Sequence, residues 1–174
     1  MPSWTWVVEP MEQLGLTARY AAKAIADFTE VVDTGEKKDY RVLVTGSRTW
    51  DRPDIIYLAL NECLANVWRR GGYRNLIIVH GACPKGADLM AGQWVRFWPP
   101  IPFSPALTMV KEERHPADWK QHGNQAAGFI RNQEMVDAGA SVCLAFIKAK
   151  SKGATHCAAA AEKAGIDTKR FELP

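Results

Sequence analysis

Arg41-Val42-Leu43-Val44-Thr45-Gly46-Ser47-Arg48 is the stretch whose reading decides the fold. A β-branched, apolar run ends abruptly at a glycine, a hydroxyl and an arginine. Strands buried on both faces of a parallel sheet read as continuous apolar runs, and open α/β sheets bind ligands beyond the carboxyl ends of their strands. Leu76-Ile77-Ile78-Val79-His80-Gly81 repeats the layout and is closed by Lys85-Gly86-Ala87-Asp88. Two apolar strands that each exit into glycine point to a nucleotide or phosphate site at their ends.

Outward from these exits, strand and helix alternate. The first strand spans about Arg41–Thr45, and a loop carries the chain through Gly46–Arg52. A helix opens at Pro53, a residue suited to a first helical turn, and runs to about Arg70. It turns Ile56, Leu60, Leu64 and Val67 to one face and stops at Gly71-Gly72. The second strand, Leu76–His80, leads into a helix at about Ala87–Phe97. The segment from Pro99 to Pro105 holds too many prolines for helix or central strand, so it is expected to be a rigid loop before a third strand at Leu107–Glu112. A helix at Asn124–Asp137 follows, with Gly139 at its C-terminal cap, then a strand at Ser141–Ile147. A helix at Ala154–Ala164 and a short strand at Thr168–Leu173 complete the chain. The pattern predicts an α/β, Rossmann-like three-layer domain over residues 40–174, with about five mostly parallel strands and helices on both faces. Upstream, Leu14, Ala18, Ala21, Ile25, Phe28 and Val32 recur at steps of three and four. Pro10–Val32 is therefore expected to form an amphipathic helix and residues 33–39 a linker. This N-terminal helical extension, residues 1–39, would pack either on the body or on another subunit of a homo-oligomer.

Composition narrows the function. At 174 residues, with 47% hydrophobic and 24% charged residues, the chain has the make-up of one globular domain. No apolar stretch approaches the roughly 20 residues of a membrane span, and no signal-peptide pattern opens the sequence. A cytoplasmic protein without a membrane partner is expected. Cys63, Cys83, Cys143 and Cys157 form no CxxC pair and read as reduced thiols. His80 with Cys83, and His156 with Cys157, lack zinc-finger spacing, so no metal site and no required cofactor are expected. The net charge of +3 conceals an asymmetry. Residues 1–40 hold four bases and seven acids, whereas residues 41–174 hold eighteen bases and twelve acids. The body's bases are scattered singly, a distribution suited to a compact anion rather than to a nucleic-acid track.

Several residues could carry chemistry. Gly46 permits close backbone approach, Ser47 can donate to a phosphate, and Arg48 can fork two hydrogen bonds to one. An ordinary tight turn with a solvated arginine would read the same. At the second exit, Gly81 turns the chain, and Lys85 and Gly86 approach the next helix. Asp88 either favours the helix dipole, accepts from a ribose hydroxyl or holds the turns together. His80 is a ligand candidate or a core histidine bonded to the next loop. Arg131 and Asn132 are neighbours on a helix and so point about 100° apart. One could reach a ligand while the other ties down a strand end. Ser151, Gly153 and Thr155 open the last helix, where Ser151 binds a phosphate or caps the helix. Among seven tryptophans, Trp50 and Trp119 lie beside these loops and could stack on a purine, while Trp68, Trp94 and Trp98 read as packing.

Taken in order, Gly46-Ser47-Arg48, His80-Gly81 with Gly86-Ala87-Asp88, Pro116-Ala117-Asp118-Trp119, and Gly128 with Arg131-Asn132-Gln133-Glu134-Met135-Val136-Asp137 are more specific than any one alone. The set resembles the YspA/YpsA-related branch of the SLOG superfamily, Rossmann-like domains related to the Lonely Guy and DprA proteins. The resemblance covers about residues 40–173. It implies a phage or bacterial source and the binding or sensing of a small nucleotide, such as an ADP-ribose- or NAD-like molecule. By motif it implies a site lined by Gly46, Ser47, Arg48, Gly81, Gly86, Asp88, Arg131, Asn132, Gly153 and Thr155. Lonely Guy enzymes carry Pro-Gly-Gly-x-Gly-Thr-x-x-Glu, whose glutamate supports cleavage at the ribose. Here the double glycine is missing and Ala158 stands at the glutamate position, with Glu162 a further turn away. The same glycosidase mechanism is therefore not expected. An N-glycosidase or phosphohydrolase would need another carboxylate, Asp88 or Glu134, and forms the alternative reading. A DprA-like single-stranded DNA binder ranks third, because Gln133 replaces the last basic residue of that family's Arg-Asn-Arg.

Overall fold

The computed structural model describes residues 38–70, 72–97 and 109–174. The expected helix at Pro10–Val32, its linker through residue 37 and the proline-rich loop at 99–105 lie outside the described residues. Among the described residues nine elements alternate: β1 (Lys38–Gly46), α1 (Pro53–Arg70), β2 (Tyr73–His80), α2 (Gly86–Phe97), β3 (Met109–Arg114), α3 (Trp119–Asp137), β4 (Val142–Lys148), α4 (Lys152–Lys163) and β5 (Thr168–Leu173). The sheet order is β3-β2-β1-β4-β5, and every neighbouring pair is parallel. The α/β, Rossmann-like class expected from the sequence is the class found.

The sheet is buried on both sides, which explains its unbroken apolar strands. Val42, Val44, Leu76, Ile78, Leu144 and Phe146 pack on one face with Ile56, Leu60, Leu64 and Val67 of α1 and Ala87, Ala91 and Trp94 of α2. Leu43, Ile77, Val79 and Cys143 face the other side, against Met135 and Val136 of α3 and Cys157 and Ala161 of α4. Successive side chains of one strand thus feed alternate layers, as the pleat requires. All four cysteines are free, and burial pushes the Cys63 thiol up to about 11 and that of Cys143 to about 12.

Several element boundaries differ from expectation; β1 and β2 each begin three residues early, at Lys38 and Tyr73. The third strand, whose expected start at Leu107 lies outside the described residues, runs to Arg114 rather than Glu112, because its ladder with Asn75–His80 sets its register. The helix expected from Asn124 begins five residues earlier, at Trp119. Asp118 caps it, its Oδ1 accepting from the N–H groups of Lys120 (3.0 Å) and Gln121 (2.9 Å). An aspartate three residues before a glutamine is an N-cap pattern legible in Asp118-Trp119-Lys120-Gln121. At the other end, Gly139 adopts φ +76 and its N–H donates to Val136 O, the expected terminator.

Strand order reverses between β1 and β4: the chain builds β2 and β3 to one side of β1, then returns to build β4 and β5 on the other. In open α/β sheets this switch point leaves a crevice beyond the strand carboxyl ends. The loops after β1, β2 and β4 all end there.

Candidate functional site

The β1 exit is fastened before it can bind anything. Ser47 N–H donates to Phe146 O at 2.9 Å, and the Ser47 hydroxyl accepts from Lys148 N–H (2.7 Å) and donates to Lys148 O (3.1 Å). Ser47 therefore bolts the end of β1 to the end of β4, and its hydroxyl is engaged rather than aimed outward. A second tie, Lys148 Nζ to Asp51 Oδ2 at 2.6 Å, joins the same two exits.

The β2 exit packs directly on this turn. Gly86 has φ +65, and a Cβ there would lie 2.1 Å from Ser47 O, so only glycine lets α2 start against the β1 loop. Ala87 N–H donates to Ser47 O at 3.4 Å. His80 is the core histidine of the two alternatives: its Nδ1 accepts from Ala82 N–H at 3.1 Å, and its Nε2 pairs with Glu112 Oε1 at 2.9 Å. With Nδ1 accepting, the proton sits on Nε2 and points at the carboxylate. The bond also holds Ala82 at φ 54, a left-handed conformation uncommon outside glycine.

Asp88 is buried in the first turn of α2, 5% exposed, and its Oδ2 accepts from Cys83 N–H at 3.1 Å. Burial pushes its carboxyl above the usual carboxylate range, opposed by backbone N–H donors and by the charge of Arg131, whose Nη1 stands 3.9 Å away. It braces the turn and also faces the cavity. Arg131 arrives from α3 and lies flat over Gly81, where a Cβ would fall 1.3 Å from Nη1. Nη1 donates to His115 O at 3.2 Å, while the buried Nε has no hydrogen-bond partner. Asn132, turned away from it as the helical offset requires, donates to Gly153 O at 3.1 Å and so ties α3 to the start of α4.

One cleft of about 370 Å³ collects these parts. Gly46, Ser47, Arg48, Gly81, Asp88, Arg131, Asn132, Ser151 and Gly153 line it, so nine of the sequence-predicted residues come together. Lys85 is exposed, Gly86 is buried under the β1 loop, Thr155 is exposed on α4 and Glu134 is exposed on α3; none of the four lines the cleft. Ser151 occupies the N-cap position of α4, yet its side chain makes no capping bond. Trp50 does not stack on a ligand: it is buried in the core, edge-on to Phe146, with Nε1 donating to Arg52 O. Trp119 does line the cleft, and Arg48 lies over its ring at 5.6 Å. Thr49, Cys83, Phe129 and Met135 are lining residues that sequence reasoning missed. Of these, Phe129 had a signal: it falls in the Gly128-Phe129-Ile130-Arg131 run, one step beyond a glycine already singled out. Among the described residues no group of three metal-ligating side chains converges, and no helix is long and apolar enough to cross a membrane.

Comparison with known proteins places these features in a family. The model of the YspA, cpYpsA-related SLOG family (YAcAr) matches residues 40–122, which contain the β1 and β2 exits and Trp119. The Gene 61 protein of Mycobacterium phage D29 is 42% identical over 131 residues, 75% of this chain and 95% of that protein. No solved structure matches. A parallel sheet in the order β3-β2-β1-β4-β5, the glycine exits gathered at its switch point, and these matches together establish that the chain belongs to the YspA, cpYpsA-related SLOG family.

Proposed function

We propose that this protein binds a small nucleotide or nucleotide-derived ligand, of the ADP-ribose or NAD type, in the cleft at the sheet's switch point. One observation carries the proposal: the Arg131 guanidinium is held over Gly81 in that cleft with its buried Nε unpaired. A buried donor without an acceptor is costly, and an anionic oxygen is the partner that would relieve it. Arg48, on the opposite loop, supplies a second guanidinium. The cavity's volume falls within the range of small-molecule sites, and membership of a SLOG family favours a nucleotide-related ligand. Calorimetry of the full chain against ADP-ribose, NAD and nucleoside monophosphates tests it. Binding by at least one is expected, weakened about ten-fold or more by Arg131→Ala, since hydrogen bonds to charged groups are worth about 1.5–3 kcal/mol. No binding by any of them, with the fold intact by circular dichroism, overturns the proposal.

A second reading, a nucleotide-processing enzyme, draws on Asp88. A buried carboxyl with a raised pKa on the cleft wall has the character of a general acid. Chromatography would then detect product from a nucleotide substrate, and Asp88→Asn, which keeps an acceptor for Cys83 N–H, would abolish turnover.

A further inference from the structure

Scattered exposed apolar side chains need no explanation, but two that line one polar cavity do. Trp119 and Phe129 are 42% and 40% exposed, and both line the cleft. They begin ten residues apart on α3, yet the indole lies back along the helix: a Cβ at Gly128 would meet Trp119 Cη2 at 3.6 Å. The indole therefore ends beside the residue preceding Phe129. Arg48 stands over the Trp119 ring at 5.6 Å, a cation–π contact from an exposed side chain that a base stacking on that face would displace. Phe129 is held edge-to-face against His156 at 4.7 Å, which fixes its ring without burying it. Deeper in the same cleft, Arg131 has its unpaired Nε over Gly81. An aromatic rim around a cationic floor is a polarised site: planar at one end and anion-seeking at the other.

The geometry points to Trp119 and Phe129 as the base-stacking platform of this site, setting a preference for base-bearing nucleotides over bare sugar phosphates. The inference rests on the nucleotide-binding reading above and assigns the end of the cleft that reads the base. Every nucleobase has a π face, and stacking on an aromatic ring tolerates any of them.

Calorimetry of the full chain with AMP, NAD and ribose 5-phosphate tests it, using the wild type, Trp119→Ala and Phe129→Leu. Both side chains are substantially exposed, and Phe129→Leu keeps apolar volume while removing the ring. Should Trp119→Ala fail to fold, Trp119→Phe serves as its partner and should keep most of the affinity. The wild type is expected to bind AMP or NAD about ten-fold or more tighter than ribose 5-phosphate. Each ring-removing variant should weaken nucleotide binding about five-fold or more while leaving ribose 5-phosphate within about two-fold. Equal affinity of the wild type for AMP, NAD and ribose 5-phosphate, unmoved by either variant, overturns this inference and leaves an anion-binding cleft standing. Binding of none of the three probes by a folded wild type removes the nucleotide reading beneath it as well.

Discussion

A single methyl group at position 81 would sit 1.3 Å from Arg131 Nη1, while one at position 86 would sit 2.1 Å from Ser47 O. The two collisions differ in what can yield. Arg131 is the far end of a flexible side chain, and Gly81 has no left-handed φ, so Gly81→Ala displaces a guanidinium. Gly86 is at φ +65 against backbone, so Gly86→Ala must move the β1 loop itself. Gly81→Ala should therefore cost about 1 kcal/mol, the bond to His115 O, yet weaken ligand binding about ten-fold or more, as Arg131→Ala does. Gly86→Ala should cost about 3 kcal/mol or more. Denaturant titration with parallel calorimetry separates the two; equal stability losses would mean that the contrast is misjudged. Both glycines stand out in the sequence as exit residues. What they make room for does not, because Arg131 lies 50 positions after Gly81 and Ser47 lies 39 positions before Gly86.

Elements position the site through their ends. Ser47 looked like a phosphate donor in the sequence, and a hydroxyl after a strand-ending glycine gives no hint that Lys148, 101 positions on, will occupy it. The N-terminus of α3 is the converse case: its cap is local and legible in Asp118-Trp119-Lys120-Gln121, although the expected start of the helix is Asn124. Asp118 fixes this first turn, and Trp119 is its first residue. Asp118→Ala should lower stability by about 1 kcal/mol and fray the turn carrying the indole. Ligand affinity should then fall although the substituted carboxylate does not line the cleft. Thermal melts and nucleotide titrations of the variant check both effects, and an unchanged melting temperature would remove Asp118 from the capping role.

Across the whole molecule, Arg41 on β1 reaches over β2 to Glu113 on β3 in a two-point ion pair, with both N–O distances 2.7 Å. Its Nε donates to Gly139 O beyond α3, and His115 Nε2 meets Glu113 Oε1 at 2.7 Å. The hydrogen bonds from Arg41 hold the Glu113 carboxyl down at about 2, against 4.5 ordinarily. A depressed carboxylate contributes stability above its unfolded pKa and loses it as pH falls through the folded one. The contribution should be complete at pH 5 and above and fade between about pH 4.5 and 2. Glu113 is about one-third exposed, so solvent screening limits the effect to about 1–2 kcal/mol. Glu113→Gln should be less stable than wild type at pH 7 and converge with it near pH 2; a gap that persists in acid would assign the loss to packing. The strands, their parallel pairing and the glycine exits were determined by the sequence alone, because apolar runs and turn residues act over a few positions. Tertiary structure decided which exit residues face the cleft: it turned Arg131 and Phe129 inward, engaged Ser47 with Lys148, and left Lys85, Thr155 and Glu134 outside. Those outcomes depend on contacts between residues tens of positions apart, brought together by the reversal of strand order between β1 and β4, and no local pattern encodes them.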